Sequence, residues 1–203
     1  LYFCSNICMD ITFKDLIRLW GKPCSQKEID HDSPIGRIST DSRTIEKGDF
    51  FVPLVGNTFD GHDYLNNAID IGIQAAIVSE QFNGLIPTDF TYWLVPDTLF
   101  AYQQIALLHR RNLNLPVVAV TGSVGKTTTR ELIRSVLSPL GEIVSSIGNE
   151  NNDVGVPSTL LRGSERDAAF VLEMGMRGIG QIERLSRVAE PDIAVITLSL
   201  IHI

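Results

Sequence analysis

The residues with the clearest chemistry run Val117-Val118-Ala119-Val120-Thr121-Gly122-Ser123-Val124-Gly125-Lys126-Thr127-Thr128. An apolar stretch that reads as a strand enters a glycine turn, and a Lys-Thr pair opens a helix. Glycines let backbone N–H groups curl around phosphate oxygens, and a helix N-terminus adds a favourable dipole. Gly122, Ser123, Val124, Gly125, Lys126, Thr127 and Thr128 therefore form a candidate ATP cradle. In it Lys126 reaches the β- and γ-phosphates and the Thr127 hydroxyl ligates Mg²⁺. The strict phosphate-loop pattern has a further glycine where Val120 stands here, so the loop is a variant of it.

A carboxylate completes the pattern. Glu173 closes the apolar run Phe170-Val171-Leu172, and in open parallel sheets the carboxyl ends of strands face the ligand crevice. An acid there can hold Mg²⁺ or order its waters, so Lys126 and Glu173 are the candidate catalytic residues and Thr127 and Glu173 the candidate metal pair. Asn151 and Asn152 could bind substrate or simply form a turn. The polar stretch Thr40-Asp41-Ser42-Arg43 reads as a turn between strands. His62 reads as a helix-entry residue, and His31 and His109 have no recognisable partners in the sequence.

The elements that must carry these residues follow from periodicity. A first helix starts at Thr12 with Leu16, Ile17, Leu19 and Trp20 as its apolar face, and Gly21 stops it. Short strands are expected at Ile35 to Ile38 and Phe50 to Leu54, a helix at His62 to Ile71, and strands at Ala75 to Val78 and Tyr92 to Val95. Residues 98–111 have helical spacing, and the polar stretch before Pro116 suggests a boundary between domains 1–114 and 115–203. Beyond it strands at Val117 to Val120, Ile143 to Ser145, Phe170 to Leu172 and Ile193 to Ile196 alternate with helices at Thr127 to Leu137, Val156 to Leu161 and Ile179 to Val188. The expectation is an α/β fold: a small N-terminal α/β domain, then a mononucleotide-binding domain with a parallel sheet and helices on both faces.

Composition narrows the partners. The 203 residues are 44% hydrophobic, enough for a sizeable core, and carry a net charge of −7. An acidic chain has no general field for a nucleic-acid backbone. No apolar run approaches the roughly 20 residues that span a bilayer. Cys4, Cys8 and Cys24 are too sparse for a disulfide framework and read as reduced thiols. A cytoplasmic monomer without nucleic-acid partner or membrane insertion is expected. Residues 1–8, ahead of Met9, are expected to be non-native.

Four ordered segments resemble the Mur ligase family, and within it the MurF type. Thr121-Gly122-Ser123-Val124-Gly125-Lys126-Thr127-Thr128 resembles the family's TGxxGKT loop. Asn149-Glu150-Asn151-Asn152-Asp153-Val154-Gly155-Val156-Pro157 is similar to the NxNNxxGVP segment, and Glu173-Met174-Gly175-Met176-Arg177-Gly178 to the EMGMRG segment of the MurF type. Upstream, Thr40-Asp41-Ser42-Arg43, Gly48-Asp49-Phe50-Phe51-Val52 and Asp60-Gly61-His62 resemble the UDP-sugar-binding domain shared with the MurE type. The resemblance implies an ADP-forming ligase that uses ATP and Mg²⁺ to couple D-alanyl-D-alanine to UDP-N-acetylmuramoyl-tripeptide through an acyl phosphate, in peptidoglycan precursor synthesis. It further implies that Ser42 and Arg43 contact the uridine nucleotide and that Asn151 and Asn152 serve substrate binding.

The pattern ends at Thr197. Where the family continues Asn-Ile-Gly-x-Ala-His, this chain reads Leu198-Ser199-Leu200-Ile201-His202-Ile203, so the family's histidine role is not carried to His202. Those last residues are expected to be foreign and the C-terminal domain absent. A MurE-type or folylpolyglutamate-type ligase, another phosphate-loop NTPase, and an inactive binding fragment are the alternatives that share the loop.

Overall fold

The computed structural model describes residues 10–26, 28–56 and 58–199. Cys4, Cys8, the stretch 1–8 and His202 lie outside the described residues. The chain forms two compact units, 1–102 and 103–203.

In the first unit, α1 (Phe13–Trp20) begins where the Thr12 N–H donates to Asp15 Oδ2 at 3.0 Å, a reciprocal cap that satisfies an otherwise free donor. A parallel sheet follows in the order β1 (Ile38–Ser39), β2 (Phe50–Phe51), β3 (Ala75–Ser79) and β4 (Tyr92–Val95). Its strands are short, and the expected strand from Ile35 is reduced to Ile38 and Ser39. A single turn of tighter helix at Gly61–Tyr64 leads into α2 (Leu65–Ile71), which ends at Gly72 with φ +95°. One side of the sheet packs Phe51, Ala76 and Val78 with Leu65, Ala68 and Phe90. Trp93 gathers an aromatic group with Phe13, Trp20 and Phe50, at centroid distances of 5.9, 6.3 and 6.1 Å.

The division between units falls inside α3 (Thr98–Leu113), ahead of the expected boundary at 114/115. The cause is packing. Ala106 and Leu113 are buried in the second core, and Arg110 donates to the carbonyls of Ala189 and Glu190 and to Asp192 Oδ2. Helical periodicity runs through the whole segment, so nothing in it marks the change of partner.

The second unit carries β5 (Val117–Thr121), α4 (Lys126–Leu137), β6 (Glu142–Ser145), α5 (Gly155–Leu161), β7 (Asp167–Glu173), α6 (Gln181–Ala189) and β8 (Ile193–Ile196). Its sheet is parallel in the order β6-β7-β5-β8. Alternate residues of β5 and β7 face opposite layers. Val117, Ala119, Phe170 and Leu172 pack with Val156 and Leu160 of α5 and Leu185 and Val188 of α6. Val120, Ala169 and Val171 pack with Ile133 and Leu137 of α4 on the other face. Helices thus cover both faces, as parallel strands with continuous apolar sequence require. Helix α6 starts at Gln181, later than the expected Ile179, because Gly180 has φ +80° and breaks the right-handed path.

Candidate nucleotide and metal site

The chain leaves β5, swings through α4 to β6 and β7 on one side, and later returns as β8 on the other. The loop after β5 therefore sits where the strand order reverses, the usual ligand crevice of an open α/β sheet. Gly125 starts α4 with φ +88°, a conformation that glycine adopts without strain. Gly122 has φ +137°, and a Cβ there would collide with the Thr197 side chain. That side chain is fixed by its Oγ1 donating to the Thr121 carbonyl at 3.0 Å.

Within the loop the Lys126 ammonium donates to the Gly122 carbonyl at 2.8 Å, placing its charge across the loop. The N–H groups of Ser123 and Val124 donate to the Leu198 carbonyl at 2.8 and 3.3 Å.

Glu173 is only 3% exposed at the end of β7. Its Oε2 accepts from Thr127 Oγ1 at 2.8 Å and from Arg130 Nη1 at 3.4 Å, and its Oε1 accepts from Asn151 Nδ2 at 2.9 Å. Its own N–H donates to Ser146 Oγ at 3.0 Å. The structure thus brings Thr127, Glu173 and Asn151 together, while Lys126, the residue before Thr127, is bonded within the loop. Thr127 and Glu173 supply hard oxygens side by side, the donor type that Mg²⁺ takes. An ionised carboxylate has about four lone-pair sites, and Thr127, Arg130 and Asn151 engage three. What remains suits a metal-bound water, while the Thr127 oxygen suits direct ligation. The residues therefore fit the ion.

Asn152 faces a different task. Its Oδ1 accepts from the N–H groups of Val154 and Gly155 at 3.1 and 2.8 Å, capping the start of α5. Gly175, in the segment after β7, lies so close to Asn151 that a Cβ would stand 2.9 Å from Asn151 Oδ1.

Ser42 and Arg43 belong to the first unit. The Arg43 guanidinium grips Asp41, with Nε and Nη2 donating at 2.9 and 2.6 Å, and these bonds hold the Asp41 carboxyl at about 2. His62 is buried at 3% exposure. Its Nε2 accepts the Ser79 N–H at 3.0 Å, so the proton sits on Nδ1, which donates to Asp60 Oδ1 at 2.6 Å. It joins the entry of α2 to the end of β3 and does no visible chemistry.

Arg130 and Ser146 were not singled out in the sequence. Arg130 follows Lys126 by one helical turn, a spacing that puts both on one face of α4, and that was the available signal. Ser146 carried none.

Two family models match the chain: the Mur ligase family, catalytic domain, over residues 34–122, and the Mur ligase middle domain over residues 120–199. The UDP-N-acetylmuramoyl-tripeptide--D-alanyl-D-alanine ligase of Synechocystis sp. is 43% identical over 89% of this chain and 40% of its own length. The ligase of the same name from Bacillus subtilis is 42% identical over 79% of this chain and 35% of its own. The chain thus spans about two fifths, or less, of the curated relatives it matches. The solved structure of UDP-N-acetylmuramoylalanyl-D-glutamyl-2,6-diaminopimelate--D-alanyl-D-alanyl ligase from Acinetobacter baumannii superposes with a TM-score of 0.81 at 35% identity, over 95% of this chain and 42% of that one. MurF ligase from Thermotoga maritima, solved in complex with ADP, gives 0.72 at 32% identity, over 80% of this chain and 37% of that one.

Proposed function

This chain belongs to the Mur ligase family, and on that premise we propose that the whole protein is a cytoplasmic MurF-type enzyme. It joins D-alanyl-D-alanine to UDP-N-acetylmuramoyl-tripeptide at the expense of ATP. The observation that carries the reading is the convergence of the loop lysine, the Thr127 hydroxyl and the Glu173 carboxylate at the strand-order reversal.

In such a reaction a carboxylate oxygen of the tripeptide attacks the γ-phosphorus and the bond to the ADP oxygen breaks, giving an acyl phosphate. The amine of the dipeptide then attacks the acyl carbon, phosphate leaves, and the nitrogen gives up its proton. Both partners of the first step are anions, so positioning and charge compensation are the main tasks. The N–H groups of Ser123 and Val124 orient the phosphates, for which the Leu198 carbonyl must give way. Lys126 swings from the Gly122 carbonyl to the β- and γ-phosphates. Bound with the nucleotide, Mg²⁺ would be held by the Thr127 hydroxyl, with Glu173 accepting from its waters, and would offset phosphate charge. Asn151 keeps the Glu173 carboxylate from turning. Ser42 and Arg43 take the uridine end of the substrate in the first unit, where the bond to Asp41 presets the guanidinium.

The direct test is calorimetric titration of ATP with Mg²⁺ into the chain. Lys126→Ala should weaken binding by more than about tenfold, roughly 1.4 kcal/mol, because a charge-assisted phosphate contact is lost. Equal affinity for both forms would remove the loop from the mechanism.

A further inference from the structure

We infer that Arg130 is a positioning residue that makes metal entry at the Thr127–Glu173 pair depend on the nucleotide. The inference rests on the nucleotide site proposed above. Arg130 is 5% exposed, and an arginine is seldom so buried unless it is paired. Its Nε and Nη2 fork onto Glu131 Oε1 at 3.1 and 2.7 Å, while Nη1 lies 3.3 Å from the Gly148 carbonyl and 3.4 Å from Glu173 Oε2. One side chain thus ties the opening of α4 to the end of β7 and to the segment that leads into Asn151.

The electrostatic consequence follows from which charges are screened. The Glu131 side chain is 48% exposed, so water weakens its hold on the guanidinium charge. The Glu173 side chain is 4% exposed and faces Arg130 in a medium of lower dielectric. The carboxylate beside Thr127 is therefore already compensated, and a dication approaching it alone meets a neighbouring positive charge. Among the described residues no group of three or more His, Cys, Asp or Glu could hold a metal instead. Magnesium sites of this kind draw their remaining charge from substrate phosphates. Arg130 strengthens that dependence: held 3.4 Å from Glu173, it offsets part of the protein's own contribution until the nucleotide brings more. It also fixes direction, since Oε2 is held by Thr127 and Arg130 while Oε1 is held by Asn151.

The experiment titrates Mn²⁺, as a paramagnetic probe, into the full chain with and without ATP, for wild type, Arg130→Gln and Arg130→Lys. Wild type should bind Mn²⁺ weakly alone and strongly with ATP. Arg130→Gln removes the charge and should bind Mn²⁺ without nucleotide at least tenfold more tightly, so the coupling between metal and ATP falls by the same factor. Arg130→Lys keeps the charge but loses the fork onto Glu131, so its metal affinity without ATP should fall between wild type and Arg130→Gln. A glutamine variant whose metal affinity without ATP is unchanged overturns the inference. Should that variant fail to fold, Glu131→Gln at the exposed end of the fork carries the test: it leaves Arg130 wholly to Glu173 and should raise the coupling, and no change would overturn the claim. Wild type that binds no ATP under either condition would instead overturn the nucleotide site itself.

Discussion

Replacing Glu173 by alanine should cost stability as well as function, and the structure sets the size of the cost. The substitution leaves the Thr127 hydroxyl, the Asn151 amide and one arm of Arg130 without their acceptor. Breaking a buried ion pair from one side costs about 3–5 kcal/mol, but Arg130 keeps its fork on Glu131, which lowers that part to about 2. The two neutral donors add about 1 kcal/mol together, part of their loss being met by water entering the gap. The sum is about 3 kcal/mol, against a typical domain stability of about 5–15, so the variant folds but is weakened. Both tryptophans, Trp20 and Trp93, lie in the first unit, so their fluorescence is a poor reporter. Hydrogen exchange is the suitable assay: amides of β5, β7 and the first turn of α4 should lose protection while those of β3 and β4 do not. Protection unchanged to within about 0.5 kcal/mol would refute the bonding scheme around Glu173.

Two further outcomes follow from named contacts. Asn152→Ala should lower the stability of the second unit by about 1 kcal/mol, because two N–H groups at the start of α5 lose their acceptor; a urea midpoint equal to that of wild type would deny the cap. Asp41 should titrate near 2 instead of its ordinary 3.8, chiefly through its hydrogen bonds from Arg43. Its folded value is depressed, so its contribution is complete above 3.8 and is lost as pH falls towards about 2. The Arg43 and Asp41 side chains are 85% and 40% exposed, and screening by water keeps the effect on stability small. Carboxyl NMR of Asp41 with a midpoint at the ordinary value would contradict the pairing.

The loop was legible because its signal is local: an apolar strand, two glycines and a Lys-Thr helix start are consecutive in sequence. Glu173 was legible as a strand-end acid but not as a buried one. Its partners Asn151, Arg130 and Thr127 are 22, 43 and 46 residues away, and only the β6-β7-β5 pairing brings them together. Asn152 shows the opposite limit, since a cap and a ligand contact use the same residue type and the choice depends on where the α5 donors point. The boundary expected at 114/115 lies past the unit division because a helix may change the core it packs against without changing its period, as α3 does between Tyr102 and Gln103. Ile179 was placed in a helix by its hydrophobicity, yet it is fully exposed and precedes the left-handed Gly180.

The central claim is that this site belongs to an ATP-driven amide ligase acting on a UDP-linked peptide. Mass spectrometry of the full-length protein incubated with ATP, Mg²⁺, UDP-N-acetylmuramoyl-tripeptide and D-alanyl-D-alanine tests it most directly. The account predicts the UDP-linked pentapeptide, with one ADP and one phosphate formed per amide bond and none of the three from Lys126→Ala. Phosphate release that proceeds equally without the UDP-linked peptide, with no pentapeptide formed, would contradict it.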